Sequence, residues 1–525
     1  MIHNRQAMDP SPIRVAEFVG ALSLATDLSV GCPMETALRA CLIATRLGAE
    51  LGCSAIALSD VFYTALLRML GCTGASHEEA WRFGGGDDIA MRHAFLTTDL
   101  GHVGAVLETA VSQLGLGSGV VGRARAVGRF IRKEEGGGSL PGTHCAQAVT
   151  LARDLKMAQG VQQGLSEIYE RFDGRGLPGL LRGTDVSLAA RLMHVAYVAE
   201  MERITGGVAA AVRVIERRAG GQLDPDLASL FLKRAPEILD GLEAASVWDA
   251  FLLAEPSPHG AIAESELPDF ARAFACFVDV KSPYRLGHST GVAQLAEQAA
   301  IDVGLPAVER QQLRLAALLH DLGIVSVPNG IWDKRGPLNP VEWERVRQHA
   351  YHSERVLSFA QALRPIASLV GRHHERADGS GYHRGLAGAH GMAAALLAVC
   401  DVYQAMREER AHRAALSRDD AACGLREEVR RGRLDGNAVE IVLKSDGHRP
   451  QRKPPSGGPA GLSAREVEVL RLLSRGLSDK EIAQKLSLSA RTVHHHVEHI
   501  YEKTGVSGRA AAALYAVRHD LISAN

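Results

Sequence analysis

Apolar residues recur at intervals of three and four through most of the chain, as in "LRLAALLHDLG" and "EVEVLRLLSRGL", while runs alternating at period two are scarce. That spacing lays one apolar stripe along each of a long series of helices, so the pattern predicts an all-α protein. Two glycine-rich patches, "FGGGDD" and "EEGGGSLPG", frame a stretch near residues 84–142 that reads as an insertion. Residues 444–461, "KSDGHRPQRKPPSGGPAG", join Pro, Gly and basic residues with almost no apolar content and read as an extended or flexible linker. Beyond it the helix signals sharpen. Ser463 with Glu466 and Ser478 with Glu481 form capping boxes, Ser489 and Ser507 suit N-caps, and Gly476 suits a helix stop. Ile482, Ala483 and Leu486 then face Val493, Val497 and Ile500 across a short turn, which is helix-turn-helix spacing.

The same pattern occurs twice before the linker. Laying "FVGALSLATDL" over "FARAFACFVDV" matches Phe18 to Phe270, Asp27 to Asp279 and Gly52 to Gly304 without a gap, and carries "LLRMLG" onto "LLHDLG". After the insertion, "IYERFDGRGLP" falls on "HHERADGSGYH". The halves therefore read as one fold used twice. Their difference is chemical: Thr36, Arg68, Met69, Ile168 and Tyr169 stand in the places of His288, His320, Asp321, His373 and His374. The first copy is an internal control, because the scaffold folds there without His or Asp. Their joint presence in the second copy points to metal. His144, at the place of His349, survives alone and is given no ligand role.

Composition narrows the setting. With 525 residues the chain predicts about three compact units, each with a core. A formal net charge of -1 confines any nucleic-acid surface to one segment. Eight scattered cysteines, an N-terminus unlike a signal peptide and the lack of a long apolar run predict reduced thiols, a cytoplasmic setting and no membrane span.

Neutral imidazole and carboxylate suit a first-row divalent ion such as iron, manganese or zinc. Adjacent residues on one helix point about 100° apart, so His373 and His374 are expected to serve two neighbouring ions rather than one. The series "YRLGHS", "LHDLG", "VRQHAYHSERVL", "HHERADGSGY" and "LLAVCDVYQAM", over residues 268–415, resembles the HD-GYP branch of the HD-domain metal phosphohydrolases. The resemblance implies helical bundles, a dinuclear site of two divalent ions (iron or manganese) and hydrolysis of a cyclic dinucleotide or related phosphoester. It implies His288, His320, Asp321, His349, His373, His374 and Asp401 as ligands, with Asp321 bridging. Arg410 and Arg413 match the family's basic positions for phosphate, and Tyr382 its substrate-contacting aromatic. Ile324 replaces the usual lysine, His383 the proline of Gly-Tyr-Pro, Gln404 a frequent aspartate and Ala395 an arginine. The ligand set is thus retained and the substrate shell altered. A nucleotide-sensing module with weak turnover is the alternative.

Residues 462–520 resemble the LuxR/GerE-type DNA-binding domain, whose second helix, here from Ala490 to about Thr504, enters the major groove. The resemblance implies phosphate contacts from Lys480, Ser489, Arg491, Thr492, Lys503 and Arg509, and base contacts from His494, His495 and Glu498. It also implies promoter DNA as partner and a homodimer on it. The organisation predicted is a degenerate HD-type repeat over 1–250, an HD-GYP-like domain over 251–443, the linker, and a four-helix reader over 462–525.

Overall fold

The structure, a computed structural model, describes residues 13–83, 85–116, 119–132, 140–388, 390–447 and 459–522. Among the described residues nearly all regular structure is helical; the exception is Ile13–Arg14 paired antiparallel with Ala261–Ile262. No described helix is long and apolar enough to cross a membrane.

The helices Val15–Ser29, Thr36–Glu50 and Ala55–Leu66 are followed in the same order by Leu267–Asp279, His288–Asp302 and Ala307–Leu319 in the second half. Identical devices join them. Asp27 accepts a hydrogen bond from the Ala37 N–H at 3.0 Å, and its counterpart Asp279 accepts from the Ser289 N–H at 2.9 Å. A Cβ on Gly71 would lie 1.9 Å from the His144 carbonyl oxygen, and one on Gly323 would lie 2.0 Å from that of His349. Only glycine lets this turn press against the following helix, so the Gly of "LHDLG" belongs to the scaffold in both copies.

Each copy's first helix crosses to the other copy. Val15–Ser29 packs on Pro340–Phe359, and Leu267–Asp279 packs on Leu140–Asp154. Phe18 meets its own counterpart Phe270 edge-on, 5.9 Å between ring centroids, as a residue beside a pseudo-two-fold axis must. Phe274 lies 4.8 Å from Phe18 on the same seam. One apolar core runs unbroken through both copies, from Ala16 to Val442. The expected boundary at residue 250 is therefore no gap in packing: both copies fold around one interior rather than around a core apiece. The strand pair and the Arg14–Glu255 ion pair, at 2.5 Å, clasp the chain across that boundary.

Three local expectations need correction. The stretch near 84–142 is largely helical, with Asp88–Phe95, Val103–Gln113 and Gly119–Arg132 around a small core of Met91, Ala110, Leu114 and Ala126, and the Leu140–Asp154 helix already belongs to the repeat. The start of the expected linker, 444–447, continues the helix Gly436–Gly447; residues 448–458 lie outside the described residues. The last helix, Arg509–Arg518, is capped by Gly508 rather than Ser507, because the chain needs a φ of 94° there that Gly supplies at little cost.

The reader does not stand apart. Arg509–Arg518 is buried on every side: Ala512, Tyr515 and Ala516 face the reader's own core, while Ala513, Leu514 and Val517 join the core of the repeats. An Arg518–Asp154 ion pair seals this contact. Phe18→Ala should cost about 3–5 kcal/mol in denaturant unfolding, because a fully buried ring on the seam leaves a cavity. Because both copies share the interior, unfolding should remain a single transition for the two; separate transitions would contradict the shared core.

Candidate metal centre and DNA-reading face

Five segments bring side chains to one point. His288 opens its helix, held by the Asp279 cap; His320 and Asp321 follow the end of Ala307–Leu319; His349 sits mid-helix in Pro340–Phe359; and Asp401 lies in Met392–Arg407. His373 and His374 lie in the turn just past Arg364–Val370, not within a helix, which removes the premise of the 100° argument. Their ring centroids are 4.1 Å apart, and both fall within one candidate ligand group with Asp321 and His349.

Asp321 is the pivot. Its Oδ1 lies 3.3 Å from His349 Nε2 and 3.6 Å from His373 Nε2; its Oδ2 lies 3.0 Å from His320 Nε2 and 3.6 Å from His288 Nε2. Asp401 adds contacts to His288 Nε2 at 3.2 Å, His320 Nε2 at 3.8 Å and His374 Nδ1 at 3.6 Å. The imidazoles are aimed from behind: Nδ1 of His320, His349 and His373 each donates to a carbonyl three residues earlier, leaving Nε2 inward. His320 Nε2 and His374 Nδ1 are buried with no aligned hydrogen-bond partner. Buried nitrogens that face a carboxylate without an aligned hydrogen bond fit a divalent ion.

Electrostatics divides the imidazoles. Burial pushes His320 down, but Asp321 and Asp401 overcome it and raise its pKa to about 10. His288 is likewise raised against burial, chiefly by Glu408. His373 and His374 are pushed down by burial and stay neutral, ready to coordinate. Asp321 is held well below the carboxylate range because Arg285 and His320 outweigh its burial.

Two contributors escaped sequence reading. Arg285, 3 % exposed, donates to Asp321 Oδ2, and Glu408 accepts from His288 Nδ1 at 2.9 Å. Charged residues in "YRLGHS" and "REERAHR" look like surface, and burial was the missing signal. Over the centre a cavity of about 340 Å³ is lined by Tyr382, Arg410, Arg413, Trp332 and Trp343 among others. Tyr382 stacks on His374 at 4.6 Å, and Arg410 pairs with Glu408 at 2.8 Å. Arg413 gives its guanidinium to carbonyls of Ala405, Met406, Glu408 and Ala414, which fixes it at the rim. Ile324 is buried in the apolar core, and His383 points away, 3.3 Å from Glu354.

The first copy's counterpart is plugged. Arg68, in His320's place, lies 3.5 Å over the Tyr197 ring, and His144 is tied to Tyr169 at 2.9 Å and Glu79 at 3.1 Å.

In the reader, both capping boxes form, and Ser489 caps Ala490–Thr504. Lys480, Ser489, Arg491, His494, His495 and Glu498 are exposed and Thr492 half-buried. His494 and His495 each lie 3.4 Å from Glu498. Lys503 instead pairs with Glu466 at 2.7 Å, and Arg509 with Asp479 at 2.6 Å, so both brace the domain.

Residues 140–227 and 272–438 match the HD domain family, and residues 460–516 match the luxR family of bacterial regulatory proteins. The chain is 29 % identical over 420 residues to 3'3'-cGAMP-specific phosphodiesterase 3 of Vibrio cholerae, covering 79 % of this chain and 91 % of that one. A crystal structure of a cyclic GMP-AMP-specific phosphodiesterase of V. cholerae superposes with a TM-score of 0.58 at 25 % identity, covering 84 % of this chain and 99 % of the other. A shorter similarity, 36 % over 132 residues, links 25 % of this chain to 32 % of cyclic di-GMP phosphodiesterase PA4108 of Pseudomonas aeruginosa.

Two outcomes follow from the geometry. An ion at Oδ2 would displace the His320 proton, so apparent metal affinity should rise about tenfold per pH unit between pH 7 and 8, read by competition with a chelator whose own pH dependence is subtracted. Glu408→Ala should lower that affinity about 10–100-fold by freeing His288 to rotate. With an HD-domain match in both copies, a His and Asp cluster suited to metal in the second, and a phosphodiesterase relative along most of its length, the chain carries HD-type domains similar to those of metal-dependent phosphodiesterases and a luxR-family helix-turn-helix domain over residues 460–516.

Proposed function

We propose that the protein is a cytosolic regulator whose second copy hydrolyses a phosphodiester bond of a cyclic dinucleotide and whose reader binds promoter DNA. The observation that carries the enzymatic half is Asp321, with one oxygen toward His349 and His373 and the other toward His288 and His320, at the floor of a cavity walled by aromatic and basic side chains. His288, His320 and Asp401 would hold one ion, His349, His373 and His374 the other, with Asp321 shared. Two ions of iron or manganese, when bound, supply Lewis acidity to the phosphate and a water of lowered pKa.

The chain's own groups do the rest. Arg410, steadied by Glu408, is placed to take a phosphate oxygen, and Arg413 stiffens the rim beside it. Tyr382, Trp332 and Trp343 offer flat faces against which a base can stack. Trp332 lies 5.9 Å from the His349 ring, so a stacked base would lie close to the reacting phosphate. The cavity falls within the usual range for ligand sites, about 300–1,000 Å³. The relative named for 3'3'-cGAMP makes that dinucleotide the first substrate to test.

A sensing role with slow turnover has one specific support: Arg285, which lines the cavity, is committed to Asp321 rather than free for substrate, while Ile324 is buried in the apolar core and offers no cation.

Manganese- or iron-loaded protein should convert 3'3'-cGAMP or cyclic di-GMP to a linear dinucleotide, and Asp321→Ala should lower the rate at least about 100-fold, followed by chromatography. Binding without product would select the sensor. In the reader, Arg491→Ala should weaken binding to all sequences alike and flatten the salt slope by about one unit, because it removes one phosphate contact; a change in sequence preference instead would reassign it to base reading.

A further inference from the structure

A second and larger cavity, about 650 Å³, lies mostly in the other copy, with Ser326 and Arg345 of the second copy at its edge. It opens at the mouth of the plugged centre. Cys32 and Pro33, in the places of Tyr284 and Arg285 of the catalytic cavity, line it, and Cys32 and Met201 also line the small remnant beside Arg68 and Tyr197. Residues 327–339 wall the catalytic cavity; at the corresponding place in the first copy the chain is expanded, and the helices Asp88–Phe95 and Val103–Gln113 there roof the larger cavity. The first copy has thus filled its metal site while keeping, and enlarging, the space above it.

The lining says what fits. Thr98, Thr109, Gln113 and Thr205 offer neutral donors and acceptors, with the Thr98 and Thr109 hydroxyls 2.9 Å apart. His93 and Arg345 stand at the wall for an anion, Met201 and Ile204 give an apolar surface on one side, and Ile89 adds another from the roof. Hydroxyls and an amide suit base and ribose edges, a base needs an apolar face, and an arginine suits phosphate. The one carboxylate in the wall, Asp87, is 3.9 Å from Arg345, so a bare cation finds no ligand set.

The cavity also touches the catalytic machinery. Arg345 shares its helix with His349, four residues on, and Ser326 closes the turn that begins at Asp321. The helix presenting Ile89, Ala90 and His93 to the cavity begins at Asp88. Asp88 accepts from Lys281 Nζ at 2.7 Å and from the Asn329 N–H at 2.8 Å, and Gly330 donates to the Gly86 carbonyl at 2.6 Å. Asn329–Trp332 is the wall of the catalytic cavity.

We infer that this cavity is a second, non-hydrolytic nucleotide site, roofed by the expansion and coupled to the catalytic cavity through Asp88 and the Asn329–Trp332 segment. The ligand class rests on the function proposed above; the cavity and its coupling do not. The test is hydrogen exchange of the full chain with manganese and, in turn, hydrolysis-resistant phosphorothioate analogues of 3'3'-cGAMP and cyclic di-GMP, and GMP. Exchange in residues 88–98 and 103–113 should slow with at least one of them, together with residues 329–332. The arm that does so tells a cyclic dinucleotide from a mononucleotide. Ala94→Trp, which fills the cavity from its roof, should weaken that protection at least tenfold in ligand concentration; Arg345→Glu should do the same should the first variant fold poorly. Protection confined to residues 373–413 would overturn the second site and leave the proposed function standing. Protection of 88–113 that survives both variants would place the ligand elsewhere, and protection nowhere would overturn both readings.

Discussion

A carboxylate taken almost wholly out of water must be neutralised, and Asp321 is surrounded by the means to do it. Four imidazoles and one guanidinium converge on its two oxygens from segments far apart in the chain. Burial of an unpaired charge of this kind would cost several kcal/mol, so the fold around it tolerates little slack. The two oxygens face different imidazole pairs, and this division sets what the centre can hold. Arg285 and a protonated His320 offset the charge until an ion does so, which couples metal uptake to proton release.

The same scaffold appears beside it with the charge removed. Where Asp321 would stand there is Met69, and the nearby Arg68 turns onto an aromatic face instead of a carboxylate. The copies therefore differ in what they ask of one framework: a highly charged interior in one, a filled interior in the other. Their shared core makes the inert copy a structural necessity for the active one, since the first helix of each covers the other's ligand-bearing helix or its counterpart.

Much of this was legible in the sequence, and the reason is the repeat. Aligning the copies separated scaffold from chemistry, so Gly71 and Gly323 read as shared while His320 and Asp321 read as special. Both capping boxes lay in local pattern, and the ligand candidates and reading face came from the repeat and the family resemblances. What stayed hidden was tertiary. Periodicity tells which helix face is buried but not against what, so neither the crossing of first helices nor the continuous core could be read. Arg285 and Glu408 resemble surface charges until burial is known. His373 and His374 read as neighbours on one helix, whereas the helix ends at Val370 and the turn brings both rings to one side. Arg509–Arg518, "RAAAALYAVR", looks like one module's own core helix and proves to serve two.

That last helix bears on the mechanics of the promoter reading proposed above. A head on a loose string samples orientations freely and tolerates variable spacing between half-sites. One whose terminal helix is wedged into the body has its aim set by the body, so in any pair of chains the separation and tilt of the two heads would be inherited from the enzyme framework. Operator periodicity would then work as a ruler of that framework's shape, and any ligand that flexes it would register as a change in preferred spacing.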